Sequence, residues 1–158
     1  MIKTIDCNLL ESDSDIIAHC CNCYCTMGAG VALAIKNEYP EAYDADCQTV
    51  KGDWKKLGKV SLSVVKDPLT HKNTNIKAIA NIYGQHGMGG EKALNYDALY
   101  NGLVESKKRL KPTIKSLSLP YKLGCGLAGG DWRIVEKIIE VVFESATYDV
   151  IICKYEPK

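Results

Sequence analysis

The chain has 158 residues, 46% of them hydrophobic, with 20 basic and 19 acidic side chains and a net charge of +1. That length suits one domain over residues 1–158 with a real core. The charge balance gives no footprint for bulk nucleic-acid binding, and no run of 18 apolar residues is present to cross a membrane. No secretory leader pattern opens the chain, so a cytoplasmic protein, monomeric and without a membrane partner, is expected.

In chain order, residues 2–6 read as a strand and 15–21 as a buried strand, Ile16-Ile17-Ala18-His19-Cys20-Cys21 carrying its apolar run. Residues 29–39 read as a helix stopped by Pro40, and 41–50 as a second helix. Residues 59–66 alternate as a strand, 68–75 are polar and turn-rich, and 76–83 form another strand. Residues 96–110 are helical, with Leu99, Leu103 and Leu110 on one face; 116–119 form a strand, 132–146 a helix and 149–154 a last strand. Strands alternating with helices predict an α/β layer fold with a mostly parallel or mixed sheet, whose ligand crevice lies beyond the carboxyl ends of the strands.

Three glycine-rich loops fall at that edge. Asn22 to Gly30 follows the first buried strand and opens a helix; Leu123 to Trp132 holds four glycines within seven residues and also opens a helix. Glycine lets backbone N–H groups approach an oxygen closely, and a helix start adds partial positive charge, so a phosphate or diphosphate is the expected guest. The third loop, residues 84–95, contains Gln85 and His86 and reads either as a flap over the site or as an ordinary solvated connection.

The eight cysteines cluster at Cys20, Cys21, Cys23 and Cys25 and otherwise lie apart. Cys20 and Cys23 have C-x-x-C spacing, but no second pair follows at zinc-finger spacing, so reduced cysteines acting as small apolar side chains are expected, and no metal. His19 reads either as a general acid, base or nucleophile toward phosphorus or as a satisfied core histidine. Asn22 suits a hydroxyl partner or a loop cap. Cys125 lies within the cradle without the spacing of a Cys-x5-Arg phosphatase loop: the sixth residue after it is Asp131, which itself reads either as an acid or as a helix N-cap.

The runs Ile17-Ala18-His19-Cys20-Cys21-Asn22, Met27-Gly28-Ala29-Gly30-Val31-Ala32, Asn95-Tyr96-Asp97-Ala98-Leu99 and Leu123 to Trp132 resemble the macro domain family over nearly the whole chain. They are similar to the branch that includes ADP-ribose-1″-phosphate phosphatases and the terminal ADP-ribose protein glycohydrolase. The resemblance implies a three-layer α/β/α domain with a central mixed sheet, an ADP-ribose cleft and no metal or other cofactor. It implies Asp6, beside Cys7, as the adenine acceptor. Gly28, Ala29, Gly30 and Val31 would approach the distal ribose and a phosphate, and Gly124, Cys125, Gly126 and Leu127 the diphosphate. Gln85 stands where the glycohydrolase branch has a nucleophilic lysine and Ala128 where it has an aspartate, so a lysine adduct is not expected here. The expected function is hydrolysis of ADP-ribose 1″-phosphate to ADP-ribose and phosphate, with His19 and Asp131 as catalytic candidates. The alternatives are an ADP-ribosyl hydrolase acting on protein or nucleic-acid adducts, with ADP-ribosylated macromolecules as partners, and a non-catalytic ADP-ribose reader.

Overall fold

A computed structural model describes residues 1–66, 75–87 and 93–155. The expected turn-rich stretch 68–75, except for Asn75, and residues 88–92 of the third glycine loop lie outside the described residues. Six strands form one sheet: β1 (Ile2–Asp6), β2 (Ile16–Cys21), β3 (Val60–Val64), β4 (Ala78–Tyr83), β5 (Ser116–Pro120) and β6 (Asp149–Lys154), in the order β1-β6-β5-β2-β4-β3. All neighbours run parallel except β3 and β4, so the sheet is mixed as expected. β4 is buried along its whole length and β2 nearly so, which is why both read as continuous apolar runs rather than alternations.

Four helices cover the two faces: α1 (Gly30–Glu38) and α2 (Pro40–Cys47) on one side, α3 (Tyr96–Arg109) and α4 (Trp132–Phe143) on the other. The period of two along β2 divides its side chains between the two layers. Ile17 joins Ile35, Tyr39 and Ala42 under α1 and α2. Ile16 and Ala18 join Leu99, Leu103, Val135 and Ile139 under α3 and α4. This is the three-layer α/β/α arrangement. Helix carboxyl ends fall one to three residues inside the expected ones, and Pro40, expected only to stop α1, opens α2 at its first turn; α2 stops at Cys47, where Gln48 and Thr49 N–H groups turn back to the carbonyls of Asp44 and Asp46. Two 3-10 turns, Leu9–Glu11 and Trp54–Lys56, were not predicted, each capped by a polar side chain, Asn8 and Asp53.

The topology places the site. The chain leaves β2 through α1 and α2 toward the β3 edge, and leaves β5 through α4 toward the β6 edge. The strand order therefore reverses between β2 and β5, and a crevice opens where the outgoing chains diverge. The register sharpens it: β2 pairs with β5 only at Ile16↔Leu117 and Ile17↔Ser118, whereas it follows β4 from Ile16 to Cys21. The carboxyl half of β2 has thus no ladder with β5, and the two strands part above Ile17.

Candidate functional site

The crevice is a cleft of about 590 Å³, within the range of small-ligand sites. One wall is the β2 end and first glycine loop, from His19 to Asn22 and from Thr26 to Ala32; the other is the end of β5 and the second loop, from Pro120 to Gly124 and from Gly126 to Ala128; Asp46 and Gln85 complete it. Met27 and Lys122, one on each wall, hold positive φ angles of 40° and 60°. Non-glycine residues adopt this conformation at a cost, and such strain concentrates where a loop is shaped for a ligand. The sequence carried no signal for either.

The loops present backbone as expected, but the two helix starts differ in their caps. α1 begins at Gly30 behind Ala29, and no side chain caps it, so its first-turn N–H groups are available where Gly30, Val31 and Ala32 line the cleft. α4 is capped by its own Asp131, whose Oδ1 accepts from Arg133 N at 3.0 Å. Of the two helix starts expected at the loops, that of α4 is therefore partly satisfied within the chain, and that of α1 is left uncapped at the cleft. In the second loop Gly124 sits at φ +71°, and a Cβ there would meet Leu94 at 2.8 Å; Gly126 is exposed, and a Cβ there would meet nothing within 4 Å. Val31 and Leu127, both exposed apolar residues, stand on opposite walls.

The expected catalytic residues are placed differently. His19 is 1% exposed; its Nε2 is 2.6 Å from Asn81 Oδ1 and its ring lies against the Cys21 thiol. Asn81 spends its own N–H groups on Ala42 O and Ser61 Oγ, so Nε2 must donate. Burial, only partly offset by that bond, lowers its pKa to about 4. With Nε2–H donated to Asn81, the ring fits the core-histidine reading while still bordering the cleft. Asp131 does not line the cleft; its carboxylate is hydrogen-bonded and ion-paired to Arg133, which holds its pKa below the usual range. The helix-cap reading of Asp131 fits this geometry, not that of a catalytic acid.

Among the other sequence-picked residues, Gly28, Ala29, Gly30, Val31, Gly124, Gly126, Leu127, Asn22 and Gln85 come together around the cleft. Asn22 ties its own loop, accepting from Tyr24 N at 2.8 Å and donating to Thr26 Oγ1 at 2.7 Å, with one N–H and one lone pair still to offer. Gln85 donates to Gly87 O at 2.8 Å. Asp6 ends β1 and Cys7 follows it, both outside the cleft lining; Asp6 is exposed opposite Lys154, and the Cys7 N–H donates to Lys154 O. Cys125 turns its thiol to Leu123 O at 3.4 Å, also off the lining. Burial pushes the thiols of Cys20 and Cys125 up to about 12 and about 11, and that of Cys21 well above its ordinary value, so none is a ready thiolate. His86 is stacked on Trp54 at 3.4 Å and donates to Gly52 O. All eight cysteines are free.

Sequence reasoning missed Asp46. Its Oδ1 accepts from Tyr83 OH at 2.7 Å, it is 1% exposed, and its buried Oδ2 has no hydrogen-bond partner among the described residues. Nearby Lys56, 6% exposed, donates to Cys23 O at 3.0 Å and lies 4.7 Å from the Tyr83 ring centroid. A single acidic residue in a weakly apolar helix gives no pattern that marks it as buried.

A family model described as Macro domain matches residues 18–139. A 17.5 kDa protein of the tk-vs intergenic region of Enterobacteria phage T4 is 35% identical over 154 residues, covering 94% of this chain and 91% of that protein. The DNA ADP-ribosyl glycohydrolase of Mycobacterium tuberculosis is 30% identical over 141 residues, or 87% of this chain; the match spans only 37% of that longer protein. Among solved structures, the macrodomain of Mycobacterium tuberculosis DarG superimposes with a TM-score of 0.79 at 24% identity, covering 100% of this chain and 99% of that one.

Proposed function

Since the chain belongs to the macro domain family, we propose that its cleft binds ADP-ribose and that the protein is a hydrolase acting at the distal ribose, with ADP-ribose 1″-phosphate as substrate. The observation that carries this reading is the meeting of two glycine loops and the uncapped start of α1 at the β2/β5 switch point. Backbone N–H groups fixed there are suited to a diphosphate and to charge developing on a transferred phosphoryl group. The phosphate substrate is favoured over a lysine-type adduct because Gln85 and Ala128 stand where an amine and a carboxylate would be needed.

In this reading water is the nucleophile, oriented by the amides of Asn22 and Gln85. Its oxygen bonds to phosphorus as the bond from phosphorus to the C1″ oxygen breaks. ADP-ribose leaves with a proton on that oxygen, and phosphate is released. The cradle lowers the barrier by electrostatics, and none of the high-pKa thiols is asked to ionise.

Two other readings have an observation each. The relative named a DNA ADP-ribosyl glycohydrolase favours hydrolysis of ADP-ribosylated macromolecules. The enclosed His19 and the capped, ion-paired Asp131 favour a reader without catalysis. Purified protein incubated with ADP-ribose 1″-phosphate, and in parallel with an ADP-ribosylated oligonucleotide and peptide, separates them. Phosphate release supports the proposal. Release of ADP-ribose from the oligonucleotide or peptide alone transfers the assignment to the adducts. Calorimetric binding of ADP-ribose with no turnover leaves the reader, and no binding overturns all three.

A further inference from the structure

The carboxyl edge of the sheet can be followed strand by strand. Gln85 comes after β4 and Asn22 after β2; Tyr121 comes after β5, and Lys154 closes β6. A ligand with its distal ribose at Asn22 and Gln85 and its diphosphate on the glycine loops therefore runs toward β6, and its adenosine half meets Tyr121 and Lys122 at that end of the lining. The Tyr121 N–H donates to Cys153 O at 2.9 Å, which fixes this end against β6.

Lys122 holds φ at +60°, the left-handed region in which glycine is free and any side chain is strained. Two residues on, the chain meets the same demand with glycine, at Gly124 with φ +71°. At 122 it keeps a lysine, exposed and, among the described residues, the only side-chain cation bordering the cleft. Its Nζ lies 5.7 Å from the centroid of the Tyr121 ring, and Lys154 Nζ lies 5.0 Å from the same centroid. Lys154 stands opposite Asp6 in the strand register, yet among the described residues neither ammonium forms an ion pair with a carboxylate. Two like charges gathered at one ring repel each other, and the ring attracts each only weakly. An anion there is drawn by both. A phosphomonoester is close to doubly charged at neutral pH, which matches two ammonium groups.

We propose that Lys122 and Lys154 form a second anion subsite, beyond the diphosphate cradle, for a phosphomonoester carried on the adenosine ribose of the ligand. The inference rests on the ADP-ribose reading above and deepens it: the cleft prefers an adenosine ribose that bears a phosphate of its own. The strained backbone at Lys122 is then the cost of keeping its charge at the cleft.

Calorimetry of ADP-ribose and of ADP-ribose 2′-phosphate tests the 2′ position. Displacement of ADP-ribose by AMP and by adenosine 3′,5′-bisphosphate tests the 3′ position. Both are run on wild type, Lys122→Gly and Lys154→Gln. Wild type is expected to bind one of the added phosphates about tenfold or more tighter, as for a charge-assisted contact, and the pair of ligands that shows the gain identifies the hydroxyl that bears it. Each substitution is expected to cut the gain to about threefold or less. Glycine suits φ +60°, so the melting temperature of Lys122→Gly is expected not to fall. A wild-type gain below threefold for both pairs overturns the proposal, and so does a full gain that survives in either variant. Should Lys122→Gly fail to fold, Lys122→Gln is measured in its place under the same criteria. Wild-type protein that does not bind ADP-ribose removes the underlying reading as well, a result distinct from ADP-ribose binding without any gain from the added phosphate.

Discussion

Through Asn81, Ser61 and Tyr83, His19 and Asp46 end the same buried hydrogen-bonded chain, and burial drives their titrations in opposite senses. His19 has its pKa lowered to about 4 by desolvation, against the hydrogen bond to Asn81, which raises it. Between 6.5 and about 4 the unfolded chain takes a proton there that the folded one refuses. The neutral ring's contribution is whole above pH 6.5 and is lost as pH falls to about 4, on the order of 3 kcal/mol over that window. Asp46 has its carboxyl pKa raised by burial, with Tyr83 and Lys56 pulling the other way. Its ionised form costs the fold stability above that raised value, and the cost is relieved as pH falls toward 3.8. Melting curves from pH 8 to pH 4 are therefore expected to fall steeply below 6.5 in wild type and to flatten in His19→Gln. An unchanged slope in a folded His19→Gln protein rules out the buried neutral ring. Turnover per folded molecule is expected to change little in that variant; a loss of roughly a hundredfold or more at an unchanged melting temperature would return His19 to proton transfer. His19's burial was legible in sequence from the apolar strand that carries it, whereas that of Asp46 was not, because an aspartate is far more often exposed.

At the scale of the element, the glycines of one loop divide their tasks. Gly124 and Gly130 lie under Leu94, and a Cβ at Gly130 would come within 2.4 Å of the Leu94 side chain and 2.7 Å of the Gly124 carbonyl oxygen. Gly126 faces open space. Gly126→Val is expected to abolish ADP-ribose binding, read by calorimetry, at a wild-type melting temperature, whereas Gly130→Ala is expected to lower the melting temperature. Normal ADP-ribose affinity in Gly126→Val would remove the second loop from the site. Asp131→Ala, which strips the N-cap from α4, is expected to lower the melting temperature by a few degrees and to leave turnover intact. A selective loss of turnover would make Asp131 catalytic after all. The loops themselves were legible, since glycine clusters after buried strands have few other uses. Which glycine faces the ligand was not, because that depends on where Leu94, thirty residues away in sequence from Gly124, lays its side chain.

Across the whole molecule, the proposed chemistry draws on backbone N–H groups and amides alone, so dialysis against a chelator is expected to leave phosphate release unchanged. Loss of activity restored by zinc or magnesium would point to a metal-assisted step. The sequence by itself determined the α/β class, the order of strands and helices, the two glycine loops and the macro domain resemblance. These depend on local information: apolar runs, periodicity, turn residues and short motifs that fix the nearby backbone. Only the tertiary structure decided the rest. It set the parting of β2 and β5 above Ile17, the capping of α4 but not of α1, and the strained backbones of Met27 and Lys122. It also placed Asp46, His19, Asn81 and Tyr83, drawn from α2, β2 and β4, on one buried chain. The physical reason is that desolvation and hydrogen-bond satisfaction are set by neighbours distant in sequence, so a side chain's charge state and purpose appear only once the layers close around it.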